Sequence, residues 1–122
     1  MKKIITHAGT FHADEILAIA TIFHFINRMP VERTYDIKEE HFQDLNIFVL
    51  DIGKRLEPEL NNFDHHQDGE IPATNILILD QLCKDKKLKA QLKKYLFSYV
   101  DAVDRGKIVE IKEREFNTPS IN

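Results

Sequence analysis

The 122-residue chain predicts an α/β domain with a mainly parallel sheet, and three observations carry that prediction. Short runs rich in β-branched residues alternate with longer segments of helical periodicity. One run, "NIFVLDIG" (Asn46 to Gly53), is continuously apolar, as in a strand covered on both faces. Histidines and aspartates follow the predicted strands directly, and open α/β sheets place their sites at the carboxyl ends of strands.

In chain order, "KKIIT" is read as the opening strand, ending in the loop "HAGT". "DEILAIATIFHFIN" is a helix whose apolar residues cover nearly the whole circumference, which predicts burial between other elements. Pro30 stops it, and Pro30 to Tyr35 is a second strand candidate. The central strand ends at Asp51 and Gly53. "ATNILILDQLCK" is read as a helix, with a strand as the alternative. "KLKAQLKKYLFSYVDAVDRG" is a long helix with Leu88, Leu92, Leu96 and Tyr99 as its apolar stripe, its lysines largely off that stripe, and Gly106 as the C-terminal stop.

Length and a hydrophobic content of 43% suit one domain, residues 1–122, with a real core. No apolar run reaches bilayer length and no signal-peptide segment opens the chain, so the expectation is a cytoplasmic protein with no membrane association. The single cysteine, Cys83, sits in an apolar setting and is expected to pack as a small hydrophobe. A formal charge of -3 argues against bulk electrostatic binding of nucleic acid, so a phosphate-bearing substrate needs local help, which a divalent cation supplies.

Four of the six histidines fall in two short segments, each beside an aspartate. "THAGTFHADE" contributes His7, His12 and Asp14; "FDHHQ" contributes Asp64, His65 and His66; "VLDIG" adds Asp51. Imidazole and carboxylate without thiolate suit manganese, iron, zinc or magnesium, and a carboxylate can bridge two such ions about 3.5–4 Å apart. A centre of that kind activates water and clamps phosphate, which makes phosphoester or phosphoanhydride hydrolysis its natural chemistry. Asp51, leaving a rigid central strand, is the natural bridge.

Together with "YVDAVDRG", these segments stand in the order and approximate spacing of the MYG (melanocyte proliferating gene) family, which the chain resembles over most of its length, a branch of the DHH phosphoesterase superfamily. The resemblance implies a Rossmann-like DHH N-terminal domain, two divalent cations, usually manganese, and an activity like that of 3'-to-5' exonucleases on single-stranded RNA or short oligonucleotides, with a metal-bridging hydroxide as nucleophile. It further implies that His7 and His12 bind one metal, Asp14 and His65 the other, and Asp51 both. An aspartate of "VDAVD", Asp101 or Asp104, completes the second site; the "Asp104-Arg105-Gly106" end resembles the corresponding motif of some relatives. His66 would meet the phosphate or protonate the leaving group, with Asp64 orienting its neighbours. Most of the superfamily has aspartate where His12 stands. Family members are also much longer, so these residues are expected to be the N-terminal part of a longer architecture whose C-terminal domain closes over substrate.

Two other functions compete: a small-molecule phosphoesterase acting on pyrophosphate or a cyclic dinucleotide, and a metal- or nucleotide-binding module without turnover. Taken singly, the motif residues have plainer uses. Asp14 and Glu15 complement a helix dipole, and Asp51 ends a strand by turn chemistry. His24 is expected to be packed and hydrogen-bonded inside its helix, and His41 to lie at the surface. The lysine run from Lys84 to Lys94 is read as a solvated face. Arg105 either reaches a phosphate or pairs with Glu110 or Glu113. Phe11 and Phe63 flank the motifs; core packing is the expected use of both, with base stacking as the alternative.

Overall fold

The computed structural model describes residues 3–106. Five strands form one sheet in the order β2-β1-β3-β5-β4. Strands β1 (Lys3–Thr6), β2 (Val31–Arg33), β3 (Ile47–Leu50) and β5 (Asn62–Phe63) run parallel, while β4 (Leu56–Glu57) pairs antiparallel with β5 at one edge. The sheet is therefore mainly parallel. β4 and β5, joined by a single turn of 3-10 helix at Pro58–Leu60, were not expected from the sequence.

Side-chain alternation explains the unbroken apolar run of β3. Phe48 and Leu50 face α1 (Ala13–Phe25) and α3 (Thr74–Leu82), in a core with Ile4, Ala18, Ile22, Phe63 and Ile78. Ile47 and Val49 point to the other face, where they pack with Ile5 and with Phe42 of the short helix α2 (Glu39–Gln43). The register sets Arg33, Thr6, Leu50 and Phe63 in one row across the sheet. Thr34, His7, Asp51 and Asp64 consequently leave from the same carboxyl edge.

The C-terminal helix departs from the single regular helix of the sequence reading. It runs as α4 (Lys86–Leu92), a π-helical turn (Lys93–Phe97) and α5 (Ser98–Asp104) without a break. The extra residue of the π turn shifts the buried stripe. Leu88 and Leu92 pack against the core as expected, but Phe97 follows them inward and Leu96 is 45% exposed. Gly106, at φ +69°, closes the helix by donating its amide to the Val103 carbonyl.

Two further expectations are corrected. Helix α1 is not buried all round: Asp14, Glu15, Ala18, Thr21 and Ile22 face inward, whereas Ile16 and Ile26 are exposed. His24 lies on the outer side, exposed, with its ring edge-on to Phe25, because the sheet and α3 cover one face of α1 only. Cys83 is buried beside Leu79 and Phe97 as expected. Lys89 and Lys93 pair with Asp80 on the helix surface. No helix among the described residues is long and apolar enough to cross a membrane. "FNTPSIN", Glu110 and Glu113 lie outside the described residues.

Candidate metal centre

The carboxyl edge brings His7, Asp14, Asp51, His65, His66 and Asp104 together, and joins to them Glu15, an acid whose place in the sequence points first to the helix dipole. Each is held by a definite backbone device. Asp51 follows β3 in the left-handed region at φ +62°, anchored by its amide to the Phe63 carbonyl at 2.8 Å. Aspartate tolerates that conformation better than most residues, and such backbone strain concentrates at functional sites.

His7 Nδ1 lies 2.9 Å from the Ala8 carbonyl. A carbonyl only accepts, so Nδ1 carries the proton in the neutral ring and the basic nitrogen is Nε2. That nitrogen stands 3.0 Å from Glu15 Oε1 and 3.3 Å from Asp51 Oδ2. Glu15 is fully buried, and accepts from Thr6 Oγ1 at 2.7 Å and from the His12 amide at 3.0 Å. One lone pair and two carboxylates facing each other suit a positive charge between them. His7, Glu15 and Asp51 offer such a nest.

A second nest adjoins it across Asp51. His65 Nε2 lies 2.8 Å from Asp104 Oδ2, 3.4 Å from Asp51 Oδ1 and 3.5 Å from Asp14 Oδ2. Yet His65 Nε2 and Asp104 Oδ2, both buried, make no properly directed hydrogen bond. Two buried polar atoms this close and unsatisfied fit a cation between them, since leaving them unpaired is costly. Burial works against charge on His65, but Asp104, Asp14 and Asp51 outweigh it and push the imidazole up to about 11. In turn, burial opposes ionisation of Asp104 but His65 holds its carboxyl low, whereas burial raises Asp14 against the pull of His65 and the Asn75 amide.

The "FDHHQ" turn is organised by Asp64. Its carboxylate accepts from the amides of Lys54 at 2.7 Å and His65 at 2.8 Å, and sits 2.6 Å from His66 Nδ1. His66 is raised by that contact, with burial opposing it. Burial opposes charge on Asp64 too, but His66 and the Lys54 amide hold it low. The His66 side chain is 51% exposed, which leaves Nε2 as the nitrogen available to a ligand.

Three predicted site residues are placed differently. His12 caps the start of α1 with its ring exposed, 5.5 Å between centroids from His7, and makes no ion pair among the described residues. Asp101 points away from the nests: it accepts from the Ala73 amide at 2.6 Å and from Arg105 Nη2 at 2.8 Å. Arg105 is thereby engaged with Asp101 and, at 3.2 Å, with the Gly69 carbonyl, instead of being presented to a phosphate. Asp14 has a second use, receiving the amides of Asn75 at 2.6 Å and Thr74 at 3.2 Å at the start of α3. A cleft of about 160 Å³, lined by His12, Asp14, Tyr99 and Asp104 among others, opens beside the nests.

The sequence of Glu15 held a usable signal. An acid three residues after a helix-capping position reaches back to the cap amide, which fixes its carboxylate at the end of β1.

Comparison with known proteins supplies the family. Residues 3–75 match the model of the uncharacterised protein family UPF0160, the MYG1 exonuclease group. The chain is 32% identical over 92 residues to the MYG1 exonuclease of Rattus norvegicus, covering 74% of this chain and 22% of that protein. It is 35% identical over 65 residues to the MYG1 exonuclease of Homo sapiens (53% and 17%), and 35% identical over 68 residues to the MYG1 protein of Chlamydia trachomatis (54% and 22%). The chain thus spans about a fifth of the length of these relatives. No solved structure matches it. With more than half of its residues matched by the family model, the chain belongs to the MYG1 family, UPF0160.

Proposed function

We propose that this chain carries a two-cation centre of the DHH phosphoesterase type and cleaves phosphodiester bonds in single-stranded RNA or short oligonucleotides from the 3' end, with manganese as the preferred ion. One observation carries the reading: two acid-histidine nests share Asp51, and one of them holds the unsatisfied buried pair His65 Nε2 and Asp104 Oδ2. The names of the MYG1 exonucleases from rat and man support the substrate class.

In this reading His7, Glu15 and Asp51 hold one ion, with His12 beside them, and Asp51, Asp14, His65 and Asp104 hold the other. When bound, such a pair supplies positive charge to a phosphate and lowers the pKa of a coordinated water. The chain's own residues do the rest. Asp64 holds the His66 ring by Nδ1 and favours its protonated form, which places Nε2 to donate a proton to the leaving oxygen. Asp101 and Arg105 fix the start of α3 and the turn before it, which keeps Asp104 opposite His65.

The test is manganese titration of metal-stripped protein, wild type against Asp51→Asn, followed by hydrolysis assays. Asparagine tolerates φ +62° and keeps the shape of the side chain, so the change removes charge alone. Two sites weakened together, with oligonucleotides cleaved by the wild type, is the expected result. Cleavage of pyrophosphate with every oligonucleotide left intact would transfer the reading to a small-molecule phosphoesterase.

A further inference from the structure

Phe11 does not pack in the core. It is 42% exposed, in contrast to Phe63, which is buried, and the Arg33 guanidinium lies over its ring at 3.6 Å from the centroid. Arg33 also donates from Nη2 to the Gly9 carbonyl. Its Nε is buried without a partner, and it has no carboxylate partner among the described residues. Tyr35, 75% exposed, sets its hydroxyl against Gly9, where any Cβ would collide with it; Gly9 at φ +88° has none.

These three side chains gather on the loop that carries His7 and His12. Phe11 immediately precedes His12, and Gly9 lies between the two histidines. Arg33 and Tyr35 come from the carboxyl end of β2, the edge strand beside β1, in the same row from which His7, Asp51 and Asp64 depart. The nests thus occupy the middle of the edge, and a cluster of two exposed aromatics and an arginine extends it outward. Burying an aromatic face is favourable, and leaving Phe11 and Tyr35 exposed next to an arginine with no acid partner forgoes that gain.

We propose that Phe11, Arg33 and Tyr35 form a nucleobase platform for the nucleotide whose phosphate lies at the metal nests. Every base has a π face, so a stacked aromatic accepts bases without regard to sequence, as a processive or terminal cleavage of oligonucleotides requires. One face of the Phe11 ring is covered by the guanidinium, and a base stacks on the remaining exposed surface. Arg33 supplies the local positive charge that a protein of net charge -3 needs near a phosphate-bearing ligand. The platform rests on the phosphodiesterase reading for its orientation, but its binding does not require turnover.

Calorimetry in manganese buffer with adenosine 5'-monophosphate and ribose 5-phosphate tests it, because the two ligands differ only by the base. The wild type is expected to prefer the mononucleotide by about fivefold or more, the low end of what one base stack contributes. Phe11→Ala brings the two affinities together, and Phe11→Tyr, which keeps the ring, retains the preference; circular dichroism checks that each variant is folded. Equal or absent binding of the two ligands by the wild type, or a preference that survives Phe11→Ala, overturns the platform. Oligonucleotide cleavage without a base preference sinks the platform alone. A Phe11-dependent base preference without cleavage of any oligonucleotide sinks the exonuclease reading alone.

Discussion

Glu15 faces His7 across 3.0 Å from a fully buried position at the start of α1, with no arginine or lysine to balance it in the pair. In the proposed centre, a carboxylate in that place either binds a cation directly or fixes the imidazole that does. Glu15→Gln keeps the volume and removes the charge. It is expected to weaken manganese binding at one of the two sites by roughly 10–100-fold, as measured by calorimetric titration. Unchanged affinity at both sites would remove Glu15 from the centre.

Asp101 and Asp104 lie about one helical turn apart and should differ in their effect on metal binding. Asp101→Ala leaves the Ala73 amide and Arg105 without their acceptor, and is expected to cost about 1–3 kcal/mol in urea unfolding of the metal-free protein. Asp104→Asn is expected to weaken metal binding at least about tenfold, and to cost the metal-free protein only the stability that the His65 contact supplies. The same pair of measurements on both variants checks the division. A metal defect in Asp101→Ala as large as in Asp104→Asn would contradict it.

The raised pKa of His65 sets a sign for the metal-free protein. Folding lifts the imidazole from 6.5 to about 11. The stability this contributes is therefore complete below pH 6.5 and is lost as pH rises toward 11. Metal needs the neutral ring, so manganese affinity should climb over the same window. Melting temperatures of the metal-stripped protein are expected to fall with pH between about 6.5 and 9.5, with a flatter profile in His65→Gln. A wild-type profile as flat as the mutant's would show that the three carboxylates do not hold that proton.

Gly53 turns the chain after Asp51 at φ +94°, and a Cβ there would strike the ring of Phe42. Phe42 is itself buried with Ile5, Ile47 and Val49 on the face of the sheet opposite α1 and α3, with the Arg55 guanidinium 4.1 Å over its ring. Gly53→Ala combines an unfavourable backbone with a displaced core aromatic. A loss of roughly 2–4 kcal/mol in chemical denaturation is expected, with metal affinity falling as well because Asp51 is two residues away.

Much of this was legible in the sequence, and the misses have physical reasons. β1, β2, β3 and α1 were readable from run length, residue type and flanking punctuation, and α3 as a helix with a strand as the alternative. The two-residue strands β4 and β5 were not, since they contain too few residues to alternate and owe their existence to pairing with each other and with β3. The segments that supply the histidines and Asp51 were recognisable from composition alone. What composition could not show is direction: Asp101 and Asp104 are both acids near a helix end, and only the packing of that helix against α3 aims one at Ala73 and the other at His65. Phe11 illustrates the same limit, because an aromatic beside a motif reads as core until the loop around it is known.

The π turn at Lys93–Phe97 acts as a phase setter for everything after it. Each residue of a regular helix advances the side chains by about 100°, so the one additional residue indexes Val100 and Asp101 to the interior and leaves Asp104 opposite His65. Deleting a single residue between Lys93 and Phe97 would restore a regular helix while rotating its distal end by that amount, withdrawing Asp104 from the cluster without touching any residue of it. Angular register along one helix is thus as much a component of the proposed centre as the identity of its residues.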